Sequence, residues 1–316
     1  MRNEATKFII RLLVAAGLIA ALLWNLDLRE LAYRLLHLSW QGTLVAFAVV
    51  FAAIAISAWK WGLILRQRGY PLGYVVLLRL YFVGLFFNNV LPTSVGGDAV
   101  RAWETTKETR EVPEAIGSVV SERLIAGVAL GITALLGLPF IDPDARTIAL
   151  VVLFLVIDVA LVGLFLIPKV AEGIVGKTLP NRLSTLKAVV AQTVRVVRDT
   201  MQQPRLFLVI LLLSVLFQVC VAGVNAAIFQ AMGAEVSLAH CVIYTPMIFT
   251  LAMLPISISG FGVREAAYWY FFSQVGVGQA EAVAASLLFF IIVGLSSLPG
   301  APLFVFHRKR IAAAQA

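Results

Sequence analysis

The chain has 316 residues, of which 61% are hydrophobic and only 13% are charged, and this composition excludes an ordinary soluble domain. The formal net charge is +8, but there is no contiguous basic face with interleaved aromatic residues, so nucleic-acid binding is not indicated. We interpret the excess of Lys and Arg as charge that orients cytoplasmic loops. The sequence predicts an all-α, polytopic membrane protein with a single transmembrane domain over residues 1–316.

Two helices are predicted within residues 1–40. Residues 8–24 form an apolar run long enough to cross about 30 Å of hydrocarbon. The basic start also fits a cleaved signal peptide, but no clear cleavage site follows the run, so a retained first helix is the better interpretation. Residues 27–36 place apolar residues at helical spacing with charges between them, which predicts a helix lying flat at the outer interface. That helix could cap the bundle or dock a partner.

The rest of the chain contains five predicted spans and two interrupted apolar segments. The interrupted segments, 72–108 and 237–273, are long enough to enter the bilayer but contain helix breakers and charges. Together with residues 8–24, the five spans make about six full transmembrane helices. The five predicted spans are residues 41–65, 113–140, 146–167, 206–230 and 280–306.

The two interrupted segments share a repeated phrase. The first copy reads LPTSVGGDAVR from Leu91 and the second reads LPISISGFGVR from Leu254, an offset of 254 − 91 = 163 residues. Matching Pro, Ser and Arg are less expected by chance in so apolar a chain than matching Leu, Val or Gly. Helix breakers at corresponding positions of two halves indicate the binding site of a repeat-built transporter.

The distribution of Lys and Arg predicts that both interrupted segments are re-entrant hairpins. The basic loop 168–205 and both chain termini are predicted to be cytoplasmic. Residues 232–235 and 274–279 contain no Lys or Arg and are predicted to be external, so segment 237–273 must enter and leave on the external side. The first interrupted segment has basic residues on both sides and is predicted to enter from the cytoplasm.

An inverted repeat follows from this topology. Repeat one comprises residues 41–140 and repeat two comprises residues 206–306, joined by the connecting helix 146–167 and the cytoplasmic loop 168–205. Irregular backbone at membrane depth is tolerated only where protein or a wet cavity covers it. Both hairpin tips are therefore expected to line a central cavity near the bilayer midplane.

Charged residues and glycines at the two tips are the candidate substrate-binding residues. Each tip offers a helix N-terminus, an Arg that can bind a phosphate through two nitrogens, and glycines that permit close approach. A Glu–Arg pair about 15 Å deep in the helix that begins near residue 113 is expected to meet them. The predicted residues are Gly96, Gly97, Asp98, Arg101, Glu122, Arg123, Gly260, Gly262, Arg264 and Glu265.

These residues also have structural interpretations. Asp98 could cap its half-helix, and Arg264 could pair with Glu265 or with a distant acid. Glu122 with Arg123 could belong to an ion-pair network that holds the bundle together.

Other polar residues within the predicted spans carry weaker signals. Asp158 fits either a proton relay or a hydrogen-bonded packing acid. Arg11 and Lys60 are expected to extend toward the cytoplasmic interface. Asn88 and Asn89 could hydrogen-bond a head group or the hairpin backbone, and the backbone is the preferred interpretation.

The sequence predicts no catalytic residue, no metal site and no cofactor. Ser-His-acid, zinc and P-loop patterns are absent from the sequence, and the three histidines have no Cys or carboxylate at metal-ligand spacing. The chain is therefore expected not to be an enzyme, and it is not expected to pump with ATP by itself.

Three motifs occur in order: Leu91-Pro92 with Gly96-Gly97-Asp98 and Arg101, then Glu122-Arg123, then Gly260-Phe261-Gly262-Val263-Arg264-Glu265. In this order they resemble the lysylphosphatidylglycerol synthase transmembrane-region family over nearly the whole chain. Two-domain members of that family carry a soluble aminoacyl-transferase domain, whereas this sequence ends at Ala316 after a short basic tail, so synthase activity is not expected. The resemblance implies a flippase-like domain of a bacterial inner membrane.

Three functions are weighed on this basis. The first is a flippase for a phospholipid or another amphiphilic lipid, such as an isoprenoid or hopanoid-type lipid. The alternative is a non-catalytic accessory subunit of a lipid-modifying or polyprenyl-phosphate glycosyltransferase system, and the third is a carrier of small ions or metabolites. The expected partner is a membrane lipid; a homo-oligomer or a lipid-modifying enzyme partner is compatible with the sequence.

Overall fold

A computed structural model describes residues 26–91, 95–167, 184–253, 257 and 260–306 of the chain. Every regular element within these ranges is helical, as predicted. The predicted span 8–24 lies outside the described residues, as do residues 92–94, 254–256 and 258–259 of the repeated phrase and the basic tail from residue 307.

The described helices agree closely with the predicted apolar runs. Four of them are long and apolar enough to cross a membrane: Trp40–Gln67, Val112–Phe140, Pro204–Ala231 and Gln279–Phe306. The chain is thus a multi-pass helical membrane protein. In chain order the helices are α1 (Leu28–Leu36), α2 (Trp40–Gln67), α3 (Tyr74–Val90), α4 (Gly96–Thr109), α5 (Val112–Gly137, with a 3-10 turn at Leu138–Phe140), α6 (Ala145–Leu166), α7 (Ser184–Met201), α8 (Pro204–Ala231), α9 (Leu238–Met253), α10 (Val263–Ser273) and α11 (Gln279–Ser297, continuing after a turn to Phe306).

Local sequence signals set several helix starts. Ser39 precedes α2, and its hydroxyl accepts the N–H of Gly42 at 3.3 Å. Asp144 precedes α6, and its carboxylate accepts the N–H of Thr147 at 2.8 Å. α8 begins at Pro204, where a missing N–H costs nothing because the first turn has no intrahelical acceptor for it.

Helices α3 and α4 form the first hairpin, and they approach each other through glycine. The Oδ1 atom of Asn88 accepts the N–H of Gly97 at 2.9 Å, which confirms that Asn88 binds the hairpin backbone. A Cβ on Gly97 would overlap the carbonyl oxygen of Gly84. Farther from the tip, Arg79 pairs with Glu108 at 2.6 Å, so the two helices run antiparallel.

Helices α9 and α10 form the second hairpin, which is built differently. Gly260 and Gly262 have φ values of 78° and 81°, in the left-handed region where glycine is unstrained. Farther from the tip, Tyr244 of α9 stacks on Phe271 of α10 with ring centroids 5.6 Å apart. Ala252 lies beside Gly260, so these helices are also antiparallel.

Ion pairs mark the two ends of the bundle. At one end, called the Arg68 end, Arg68 after α2 binds Glu114 of α5 at 2.6 Å and Asp199 of α7 at 3.5 Å. The hydrogen bond with Glu114 raises the pKa of the Arg68 guanidinium. At the other end, called the Arg34 end, Arg34 of α1 lies 3.1 Å from Glu281 of α11.

The two hairpins are attached at opposite ends of the bundle. Residues 68–73 and 110–111 connect the first hairpin to α2 and α5 at the Arg68 end. Residues 232–237 and 274–278 connect the second hairpin to α8 and α11 at the Arg34 end, where the carbonyl of Met232 accepts a hydrogen bond from Arg34.

The main contacts between the halves come in matched pairs. The first helix of each half, α2 and α8, pack along each other. Helix α5 of the first half packs on α8 and α9, and its counterpart α11 packs on α2 and α3. Within each half, the second hairpin helix packs on the half's last helix, so α4 contacts α5 and α10 contacts α11.

Part of the predicted cytoplasmic loop is helical, which corrects the sequence interpretation. Helix α7 packs against α5, burying Val196, Val197 and Met201, and a Cβ on Gly117 of α5 would lie 2.5 Å from Val196. The charge of this segment predicts its side of the membrane, whereas the helical spacing of its valines predicts the helix.

We predict that Gly97→Ala destabilises the protein because the added methyl group must separate α3 from α4. The cost should be about 2–3 kcal/mol, as for an overpacked core. Thermal unfolding of the purified protein in detergent measures it.

Gly294→Ala is the matched control, since a Cβ on this α11 residue meets nothing within 4 Å. It should leave stability unchanged or raise it by up to about 1 kcal/mol. Equal melting temperatures for the two variants would contradict close packing at the hairpin.

Candidate functional site

A cavity of about 330 Å³, called the central cavity, lies between the two halves. Most of its wall is apolar, with Ile54 and Leu130 from the first half and Val221, Phe249 and Phe289 from the second. One part of the wall is charged. The charged residues that line it, called the charged cluster, are Lys60, Asp98, Arg101, Glu122 and Arg123.

The charged cluster is joined by short contacts. Arg123 binds Asp98 through two nitrogens, with Nε donating to Oδ2 at 2.6 Å and Nη2 donating to Oδ1 at 3.0 Å. The Nη2 atom of Arg101 lies 2.7 Å from Oε2 of Glu122 and 3.3 Å from Oδ1 of Asp98. Lys60 completes the chain of contacts, with Nζ 3.3 Å from Oε1 of Glu122.

Neighbouring aromatic and hydroxyl groups hold the cations in place. The Arg101 guanidinium lies between the rings of Trp61 and Tyr81, 4.8 Å from each centroid. The indole N–H of Trp61 donates to the Ser118 hydroxyl of α5 at 3.1 Å. Lys60 Nζ donates to the Ser214 hydroxyl of α8 at 3.2 Å, which connects the charged cluster to the second half.

Burial divides the charged cluster into an inner and an outer part. The side chains of Lys60, Arg101 and Glu122 are only 1%, 2% and 3% exposed, whereas that of Arg123 is 45% exposed. The inner charges must keep their partners, because a charge left alone in an apolar interior is costly. The outer guanidinium of Arg123 remains accessible to a ligand.

The structure brings together the four charged residues predicted from the first half. The expected meeting of Glu122 and Arg123 with Asp98 and Arg101 is confirmed. The interpretation of Asp98 as a helix cap is wrong: Val95 occupies the capping position of α4, and the Asp98 carboxylate binds Arg123 instead. Gly96 and Gly97 begin α4, so both lie beside the charged cluster.

The second tip forms a separate network. Arg264 Nη2 lies 2.7 Å from Oε1 of Glu265, and Arg264 Nε donates to the Ser286 hydroxyl at 3.0 Å. The other carboxylate oxygen of Glu265 accepts the N–H of Gly262 at 2.7 Å. The alternative pairing of Arg264 with Glu265 is therefore confirmed. Gly260, Gly262, Arg264 and Glu265 are not among the described residues that line the central cavity. Residues 254–256 and 258–259 of the second tip lie outside the described residues, so the expectation that both tips line the cavity stays a prediction.

The sequence model of the protein family described as the lysylphosphatidylglycerol synthase TM region matches residues 8–300. The chain belongs to this family. Two UPF0104 membrane proteins of archaea are similar to this chain. That of Methanocaldococcus jannaschii is 28% identical over 128 residues, which covers 40% of this chain and only 38% of the relative. That of Pyrococcus horikoshii is 20% identical over 323 residues, which covers 94% of this chain and 96% of the relative.

The sequence-based prediction for Lys60 is wrong. Lys60 was expected to extend to the interface, but it is buried against Glu122 and Ser214. Its position about 10 Å before the end of α2, at 1.5 Å per residue, was the available signal. Tyr81 and Gln218, which also line the central cavity, were not singled out.

Two further acidic residues, Glu104 and Asp158, lie within the helix bundle. Glu104 of α4 is buried and pairs with Lys107. Asp158 faces Gly127 of α5, and its Oδ2 atom has no hydrogen-bond partner among the described residues. The structure thus gives no support to the interpretation of Asp158 as a hydrogen-bonded packing acid.

We predict that Lys60 and Glu122 are energetically coupled. Glu122→Gln should cost about 3–5 kcal/mol because it leaves Lys60 and Arg101 without their shared anion. Adding Lys60→Met should cost less than the sum of the two single changes, by about 1–3 kcal/mol. Denaturant titration in mixed micelles measures these free energies of unfolding.

The control cycle pairs Lys60→Met with Glu265→Gln, whose carboxylate belongs to the separate second-tip network. Here the two costs should add to within about 0.5 kcal/mol. Strict additivity in the Lys60–Glu122 cycle would show that their contact is not formed.

Proposed function

We propose that this protein is a lipid transporter, a flippase that moves a phospholipid or another amphiphilic lipid between the leaflets of a membrane. The observation that carries the proposal is the division of the central cavity into a charged part and an apolar part. An amphiphile has the same division, with a polar head group and apolar chains. Ionisable groups inside a membrane bundle are functional candidates because they are costly to keep there.

The two parts of the cavity come from different halves of the chain. The charged residues among the described residues of its wall all belong to the first half, whereas the second half contributes mainly apolar side chains. Phe249 and Met253 of α9 and Phe289 and Val293 of α11 are examples. Such walls suit a lipid chain and would not replace the hydration shell of a small ion, which argues against the ion-carrier hypothesis.

The proposed architecture is six transmembrane helices and two re-entrant hairpins in an inverted repeat. The matched contacts between the halves support it, because exchanging the halves maps each main contact onto another. The attachment of the hairpins at opposite ends of the bundle supports the inversion. In such folds, movement of one repeat against the other opens the site to alternate sides.

The Arg68 end is proposed to face the cytoplasm. Arg66 and Arg68 lie at this end, and α7, which contacts Arg68 through Asp199, carries Lys187 and Arg195. Positive residues concentrate in cytoplasmic loops. This orientation agrees with cytoplasmic termini in a cell inner membrane, and the transporter needs no catalytic step of its own.

A leaflet-resolved assay in proteoliposomes tests the proposal. Short-chain fluorescent phospholipids and a membrane-impermeant quencher report how fast the protein moves lipid between leaflets. We expect Arg123→Gln to slow this movement at least about tenfold, a loss of about 1.4 kcal/mol, because the accessible guanidinium of the cavity is removed.

Arg195→Gln is the matched control, since Arg195 is an exposed residue of α7 outside the cavity. It should move lipid at the wild-type rate. Equal rates for the two variants would contradict the site. Failure of the wild type to move any tested lipid would contradict the flippase and favour an accessory subunit, which co-purification of a partner enzyme would then identify.

A further inference from the structure

The wall of the central cavity carries an excess positive charge. Three cations, Lys60, Arg101 and Arg123, face two anions, Asp98 and Glu122, so the charged cluster has a net charge of +1. The other polar residues of the wall, such as Tyr81 and Gln218, are neutral in this count. Among the described residues that line the cavity, nothing balances the third cation.

Asp158 lies behind Gly127 and is not among the described residues that line the cavity, and two other acids near it are already paired with cations. Glu104 is paired with Lys107 of its own helix, and Glu265 is paired with Arg264 at the second tip. Asp98 is shared between Arg123 and Arg101. An uncompensated charge in an apolar setting is unfavourable, so an anion entering the cavity would be stabilised there.

The cations also have hydrogen-bond donors to spare. The Nε atom of Arg101 is buried and has no hydrogen-bond partner among the described residues. The ammonium of Lys60 has three donors, and its polar contacts among the described residues are the Ser214 hydroxyl and one oxygen of Glu122. It also lies 5.1 Å from the centroid of the Phe217 ring. Arg123 uses two nitrogens for Asp98 yet remains 45% exposed. The excess charge thus comes with free donors.

We propose that the central cavity selects a lipid whose head group carries a single negative charge, specifically a phosphodiester. This inference rests on the proposed function and names its substrate class. A singly charged anion neutralises the charged cluster, whereas a zwitterionic head group leaves it at +1 and a doubly charged one reverses it. Arg and Lys are the side chains that bind phosphate oxygens best.

Equilibrium binding to the purified full-length protein in a neutral detergent tests the selection. The probes are short-chain phosphatidylglycerol, with a net charge of −1, and phosphatidylethanolamine, with no net charge and the same acyl chains. Glycerophosphoglycerol, the same head group without chains, separates a lipid site from a site for a free phosphodiester. We expect phosphatidylglycerol to bind at least about tenfold more tightly than either of the other two.

Two variants remove the excess charge in different ways. Lys60→Gln and Arg123→Gln each bring the charged cluster to zero, and each should reduce the preference for phosphatidylglycerol to within about twofold. Two variants are needed because Lys60 is buried and its loss could impair folding, whereas Arg123 is partly exposed. Lys187→Gln on α7 makes the same chemical change outside the cavity and should keep the full preference.

The outcomes separate this inference from the proposed function. Equal binding of the two lipids by the wild type overturns the charge selection and leaves lipid binding intact. Binding of neither lipid overturns both proposals. Glycerophosphoglycerol binding as tightly as phosphatidylglycerol overturns the lipid site. A preference that survives in both cavity variants, or is lost in Lys187→Gln, assigns it to the overall charge of +8 instead of the cavity.

Discussion

Glu122 makes the contacts on which both the helix bundle and the central cavity depend. Its carboxylate pairs with Lys60 of α2 and Arg101 of α4 and lies 3.4 Å from the hydroxyl of Tyr81 of α3. Because a buried charge without a partner is costly, four helices must keep the positions that hold these contacts. The hairpin tip is thereby fixed beside α5, and the same contacts place a charged wall inside an apolar bundle.

The repeated phrase leads to two different environments because its two arginines have different neighbours. Arg264 is followed directly by Glu265, so its charge is satisfied locally and its network is neutral. Arg101 is followed by Ala102 and must find partners on other helices, chiefly Glu122. The second tip therefore forms a closed, self-sufficient network, while the first forms a charged cluster that faces the cavity. The likeness of the helix contacts in the two halves therefore does not extend to the chemistry of the tips.

Much of the helical framework could be predicted, because apolar length and helix breakers are properties of the sequence itself. The meeting of Arg123 with Asp98 was also predictable, since charges at membrane depth have few other places to go. Lys60 was not, because sequence gives the depth of a residue in a helix but not the neighbour its face meets. Helix α7 was not predicted because the basic residues of segment 168–205 are typical of a cytoplasmic loop. Val196 and Val197, which pack on α5, are the residues whose spacing indicates the helix.

The division of the charged cluster has a consequence for transport. A carrier must bind its substrate and also release it, so its affinity for the substrate must be moderate. A site in which every cation bound the anion without a competing partner would hold the anion too tightly. Lys60 and Arg101 are held by Glu122 and by the aromatic rings around Arg101. Among the described residues, Asp98 is the one ion-pair partner of Arg123, which is partly exposed. Asp98 therefore competes with an incoming phosphate for Arg123. In the proposed cycle this competition keeps the affinity moderate, because Asp98 takes back the guanidinium as the head group leaves.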